Sequence, residues 1–175
     1  MGRQKLLLEL RGRPIIRWSV EAVAPHVDEV IVVTGHDEPG VRCALAGLSV
    51  RYARNPNPEA GQGSSIAVGA AALSPDARAA LVALGDQPYV PGAVVAALLA
   101  DFARGGTAIV VPVYRGTQAT PVVFGAEVFA ELRALTGDGG ARSVVRAHPE
   151  RVRAVSFDIP LPADVDTPED YARLM

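Results

Sequence analysis

Residues 79–88 read Ala79-Ala80-Leu81-Val82-Ala83-Leu84-Gly85-Asp86-Gln87-Pro88. A run of apolar residues without a charge, stopped at once by Gly, Asp and Pro, describes a strand buried on both faces that ends on a carboxylate. Working outward, the same pattern recurs. Residues 29–34 (EVIVVT) form a β-branched strand closed by Gly35, and residues 50–53 a short strand running into Asn55-Pro56. Residues 108–113, 121–124 and 152–157 read as further strands. Between them lie segments of helical spacing: 14–24 opened by Pro14, 64–73, 91–103, 126–135, 141–147, and 167–174 with Thr167 as its cap. Apolar strands alternating with helices predict an α/β fold, a Rossmann-like doubly wound and mostly parallel sheet covered on both faces. No repeat or linker divides residues 1–175, so one domain is expected.

Composition narrows the function. The chain has 175 residues, and 17 basic against 19 acidic side chains give a formal charge of −2, which offers no footing for a nucleic acid or a charged membrane surface. No stretch of about 18 apolar residues is present to span a bilayer. The single cysteine, Cys43, has no internal partner, and a cytoplasmic, reducing setting is expected. Three scattered His residues and one Cys make no zinc pattern.

Four clusters carry polar groups that chemistry could use. Ligands of doubly wound sheets bind beyond the carboxyl ends of the strands, which is where Gly85 and Asp86 fall. A carboxylate there can hold Mg²⁺ against nucleotide phosphates, with Gly85 allowing close backbone approach; Gly, Asp and Pro also make an ordinary turn. Asn55-Pro56 followed by Gly61-Gln62-Gly63-Ser64-Ser65 leads a strand into a helix through a long loop. Its amides and hydroxyls suit a base, ribose or phosphate, although Ser64 alone would account for a helix cap. Lys5 is the sole lysine among the basic residues of the chain, and a compact ammonium suits a polyphosphate. An ordinary solvated lysine is the plain alternative. In Asp164-Val165-Asp166-Thr167-Pro168-Glu169-Asp170, residues 167–170 read as a helix start, leaving Asp164 and Asp166 as further metal carboxylates.

Taken in order, MGRQKLLLELRGRPII (1–16), VIVVTG (30–35), the 55–65 loop, LVALGDQP (81–88), PVYRGTQATPVVF (112–124), LTGDGGAR (135–142) and DVDTPEDY (164–171) resemble the molybdenum cofactor nucleotidyltransferases, most closely their cytidylyltransferase branch. The resemblance implies the nucleotide-diphospho-sugar transferase-like version of the fold. It implies a Mg²⁺-dependent transfer of CMP or GMP from an NTP to a molybdopterin-like phosphorylated acceptor, with pyrophosphate released and CTP favoured over GTP. It implies Lys5 and Asp86 as the catalytic pair. Gly2, Lys5, Asn55, Gly61, Ser65, Gly85 and Asp86 would face the nucleotide, and Gly137, Asp138 and Arg142 the acceptor. Asp86 would be the principal metal ligand, assisted by Asp164 or Asp166. A molybdenum-enzyme apoprotein is a further partner that it suggests.

Two departures from the family pattern shape the expectation. Relatives open with a buried strand and a loop of the form L-A-A-G-x-S-x-R-M-G, whereas this sequence opens at the Met-Gly that closes such a loop. The first strand is therefore expected to be missing from the sheet, through a gene start placed too far downstream. A fragment, or a non-catalytic relative serving molybdenum-enzyme maturation, is the alternative. Gln118-Ala119-Thr120-Pro121 stands where the family has a smaller pair before the proline, which leaves room for another phosphorylated acceptor.

Overall fold

The computed structural model describes residues 5–174. After a 3₁₀ turn at Lys5–Leu7, a small hairpin joins β1 (Glu9–Leu10) to β2 (Arg13–Pro14), and helix α1 (Ile15–Val23) starts directly behind Pro14. Pro14 has no N–H to leave unsatisfied at that start. Strand β3 (Ile31–Thr34) crosses through α2 (Glu38–Ala44) to β4 (Arg51–Arg54), its parallel neighbour. Parallel strands require such a crossover. The α2 helix was not foreseen, because Pro39-Gly40 reads as a breaker; here both lie in its first turn, and the Asp37 carboxylate accepts from Gly40 N–H at 3.0 Å as an N-cap.

Helix α3 (Gln62–Ala71) precedes β5 (Ala79–Val82), and α4 (Gly92–Ala103) precedes β6 (Ile109–Tyr114). A tight turn joins β6 to β7 (Thr117–Gln118), and β8 (Val122–Gly125) follows. Helices α5 (Phe129–Arg133) and α6 (Gly140–Ala147) then lead to β9 (Val152–Phe157), and α7 (Pro168–Leu174) ends the described chain. Most elements fall within a few residues of their expected limits.

The sheet is mixed rather than mostly parallel. Strand β8 lies antiparallel between β5 and β6, while β9 pairs parallel with the other edge of β6. Only residues 115–121 separate β6 from β8, too few for the dozen or more residues of a crossover, so the chain has to double back.

The sheet also comes in two parts. The pair β3–β4 stands apart from the β5–β8–β6–β9 group, and neither β3 nor β5 has a second partner among the described residues. A cleft of about 1330 Å³ lies between these edges, with α1 and α4 on one face and α3 on the other. Three of the apolar clusters of the core lie around it. One is built on Phe124, Leu132 and Ile109, one on Ile16, Val20 and Val41, and one on Leu98, Val110 and Tyr114. The β6 and β8 strands are almost wholly buried, but every residue of β5 is only partly so, as the division of the sheet requires. This division agrees with the expectation of a sheet lacking its first strand.

Candidate active site

The apolar run of β5 carries the chain to Gly85-Asp86, and a second segment meets it there. Val165 is fully buried against Leu10 and Ile15, and its N–H donates to the Asp86 carbonyl at 3.0 Å. That anchor fixes the segment, and the residues on either side of it, which strict strand alternation would put on one face, take different partners because the backbone here is not a regular strand. Asp166 turns to Lys5, whose ammonium donates to Asp166 Oδ1 at 2.6 Å and to Asp86 Oδ2 at 2.6 Å. Asp164 turns instead to Gln87, whose amide Nε2 donates to Asp164 Oδ1 at 2.5 Å. The two aspartates left as alternatives by the sequence are thus separated: Asp166 shares a cation with Asp86, and Asp164 is tied to an amide.

The electrostatics of this knot are lopsided. Burial pushes the Lys5 pKa down, but the hydrogen bonds and charges of Asp166 and Asp86 outweigh it and hold the ammonium above its ordinary value of 10.5. One ammonium faces two carboxylates. Asp86 Oδ1 is buried and has no hydrogen-bond partner. An orphaned carboxylate oxygen costs about 1–3 kcal/mol or more, a penalty that a further cation would relieve. Asp86 and Asp166 form a two-carboxylate donor set, and among the described residues no group of three or more His, Cys, Asp or Glu is placed to hold a metal ion. That set fits Mg²⁺, which binds through one or two carboxylates and completes its shell with water and substrate phosphate.

Buried residues support the site from below. Ser19, on α1, donates to the Gly85 carbonyl at 3.0 Å, locking the strand end. Gln87 is 4% exposed and joins Asp164 to Thr120, whose hydroxyl donates to Gln87 Oε1 at 2.5 Å. Ser19 and Gln87 were not singled out in the sequence. Gln87 was legible, since an amide directly after the carboxylate at a strand end has to find partners when the turn is buried. Thr120 was read only as a departure before Pro121, and it belongs to the same hydrogen-bond chain. A Cβ on Gly85 would meet only ordinary contacts with Leu6 and Ile16 at 3.5–3.7 Å, so packing within the protein does not explain the glycine as close backbone approach would.

The 55–65 loop is held differently from expectation. Asn55 is 3% exposed, and its side chain is fully engaged inside the protein. Its amide donates to Ser64 Oγ at 2.8 Å and Ser65 Oγ at 3.0 Å, and its Oδ1 accepts from Asn57 N–H at 3.0 Å. Gly61, at φ +90°, packs against the 136–140 loop: a Cβ there would overlap Asp138 Oδ1 and come within 2.5 Å of the Gly137 carbonyl carbon. Gly63 N–H donates to Gly137 O at 2.8 Å. Gly61, expected at the nucleotide, and Gly137 and Asp138, expected at the acceptor, therefore meet at one close contact between two loops, while Asn55 and Ser65 bond to each other within the first of them. Asp138 and Arg142, the latter on α6, are exposed. Gly2 lies outside the described residues.

With this geometry in place, comparison with known proteins is specific. A family model, the MobA-like NTP transferase domain, matches residues 1–152. The purine catabolism protein PucB of Bacillus subtilis (strain 168) is 30% identical over 186 residues, covering 98% of this chain and 87% of that protein. The molybdenum cofactor guanylyltransferase of Cereibacter sphaeroides is 31% identical over 91 residues, 52% of this chain and 45% of that protein. Among solved structures, Rv0371c of Mycobacterium tuberculosis H37Rv in complex with manganese superposes with a TM-score of 0.85 at 30% identity, over 99% of this chain and 92% of that one. The α/β fold with its mixed sheet is that of the nucleotidyltransferases, and the chain belongs to the MobA-like NTP transferase domain family.

Proposed function

We propose that this nucleotidyltransferase moves CMP, or GMP, from its nucleoside triphosphate to a molybdopterin-type phosphorylated acceptor and releases pyrophosphate. The observation that carries the reading is the Lys5 ammonium held between Asp86 and Asp166 at the end of a buried strand, with one Asp86 oxygen still unpaired. Two polyanions have to meet for such a transfer, and their repulsion is the main obstacle. Lys5 supplies a fixed positive charge to the triphosphate. Asp86 and Asp166 would hold Mg²⁺, which when bound supplies charge neutralisation on the phosphates. The acceptor phosphate is already ionised near neutral pH, so the reaction asks for positioning more than for a strong base. This suits a site that, among the described residues, has no serine or cysteine nucleophile beside a histidine. The manganese complex of Rv0371c, a solved relative, supports a divalent cation in this fold. Nucleic acid and membrane have no place in this reading; a molybdenum-enzyme apoprotein, receiving the product, does.

The test is pyrophosphate release from CTP or GTP with molybdopterin, in the presence of Mg²⁺ or Mn²⁺. Turnover with CTP that vanishes in Asp86→Ala and persists in Cys43→Ala is expected, since Cys43 is an exposed residue of α2. Turnover that is unchanged in Asp86→Ala would remove the metal assignment. Thr120 beside Gln87 favours a second arm with other phosphorylated small molecules. Activity with one of these and none with molybdopterin would replace the acceptor and leave the chemistry standing.

A further inference from the structure

Gln87 follows Asp86 directly and joins two segments far from it in sequence. Its side chain is buried, 4% exposed, with a partner at each end of the amide: Nε2 donates to Asp164 Oδ1 at 2.5 Å, and Oε1 accepts from the Thr120 hydroxyl at 2.5 Å. Chemistry fixes which end faces which partner. An ionised carboxylate only accepts, so it meets the N–H₂ end, and Thr120 is left to donate to the oxygen. Thr120 lies in the link between β7 and β8 and is itself held, because its carbonyl accepts from the fully buried Tyr114 phenol at 3.1 Å. The amide is thus braced at its far end and cannot turn freely.

The 164–166 segment is attached to residues 86 and 87 at two adjacent points. Val165 N–H donates to the Asp86 carbonyl at 3.0 Å, and Asp164 takes the Gln87 amide. The first bond alone would leave the segment free to turn about it. Either flanking aspartate would be drawn to the Lys5 ammonium, since a carboxylate gains more from a cation than from a neutral amide. Asp166 receives that ammonium at 2.6 Å, and half-buried Asp164 takes the amide instead. We propose that Gln87 is a positioning residue: by holding Asp164 on its amide, it makes Asp166 the carboxylate that joins Asp86. The inference rests on the reading of Asp86 and Asp166 as the Mg²⁺ ligands. Gln87 acts through Asp164, and the chain from Tyr114 through Thr120 carries the position of the β7–β8 link to the metal side of the site.

The test uses the whole chain with Mn²⁺ as probe, the free ion being read by electron paramagnetic resonance without nucleotide or turnover. Asp164→Asn keeps an oxygen for the Gln87 amide, so alone it should weaken Mn²⁺ binding about twofold at most, whereas Asp166→Asn should weaken it about tenfold. In a Gln87→Met background, similar in volume but without the donor, the effects of the two substitutions should converge to within about twofold of each other. A Gln87 that only filled space would lower the urea midpoint and leave the two aspartates as unequal as before, which would overturn the inference. Gln87→Glu reads the same point through a change of sign, and serves if Gln87→Met does not fold. Its carboxylate still accepts from Thr120 but repels Asp164. Adding Asp164→Asn restores an amide–carboxylate bond with the partners exchanged. The double variant should bind Mn²⁺ about fivefold more tightly than Gln87→Glu alone, although removing a carboxylate near a cation ordinarily weakens binding. Weaker binding in the double variant refutes the proposal. Asp86→Ala is measured alongside. If it binds Mn²⁺ as the wild type does, the metal reading falls and this inference falls with it. If it loses Mn²⁺ while the aspartates stay unequal in Gln87→Met, the metal reading stands and the role of Gln87 alone is overturned.

Discussion

Asp164 and Asp166 show how much a single side chain's direction decides. They flank a buried valine, and that anchor sends one to Gln87 and the other to Lys5. Removing the charge from each should therefore have different consequences. Asp166→Asn is expected to lower kcat for pyrophosphate release by about tenfold or more, an order of magnitude typical of losing one charge-stabilising contact. Asp164→Asn should act mainly through the Gln87 amide, raising KM for the acceptor with a smaller change in kcat. Steady-state kinetics on the two variants distinguishes them, and the reverse ranking would reassign the second carboxylate. Tyr114 gives a residue-scale prediction of another kind. Burial pushes its phenol up to about 12, while it donates to the Thr120 carbonyl at 3.1 Å. A raised acid is favoured in its neutral form when folded. Its contribution is complete below the unfolded value of about 10 and is lost as pH rises towards 12. Stability measured by urea unfolding should fall across that window, and Tyr114→Phe should flatten the fall.

At the scale of elements, the contact between the 55–65 loop and the 136–140 loop depends on glycine. Gly61 combines a positive φ with no room for a Cβ. Gly61→Ala would meet both the left-handed backbone penalty and overlap with Gly137, together costing about 1–4 kcal/mol. A fall in the urea midpoint at constant m-value would register this. If Gly61 served only to let a nucleotide approach, stability would be unchanged and only nucleotide affinity would drop. Asn55 and the two serines make the same point from the other side. Their hydrogen bonds are spent on holding the turn that starts α3. The loop is a rigid brace in this structure, and any contribution to nucleotide binding would come from backbone and shape.

For the whole molecule, the division of the sheet sets the order of local stability. Strands β6 and β8 sit among neighbours and between helices, while β3 and β5 each have one pairing edge and border the cleft. Local opening follows buried contacts and protected backbone hydrogen bonds. Amide exchange should therefore be slowest in residues 109–114 and 122–125, and faster by orders of magnitude in 79–82, even though all three runs are comparably apolar in sequence. Uniform protection across β5, β8 and β6 would show that the two parts of the sheet behave as one unit.

Much of this was already written in the order of residues. Continuous apolar runs ending on Gly, Asp and Pro settle where strands stop, because a buried strand tolerates no charge until it leaves the core. Those stops place Asp86 at the sheet's edge, and the seven stretches spaced from residue 1 to residue 171 point to the family. Periodicity is a local property, however, and the remaining facts are not local. The 3₁₀ turn that brings Lys5 against Asp86, the reversal of β8, the pairing of Asn55 with Ser64 and Ser65, and the parting of β3 from β5 each join residues distant in sequence or set the direction of a strand. Only packing in three dimensions could choose Asp166 over Asp164, since their spacing about Val165 offers both and the buried valine allows one to face the ammonium.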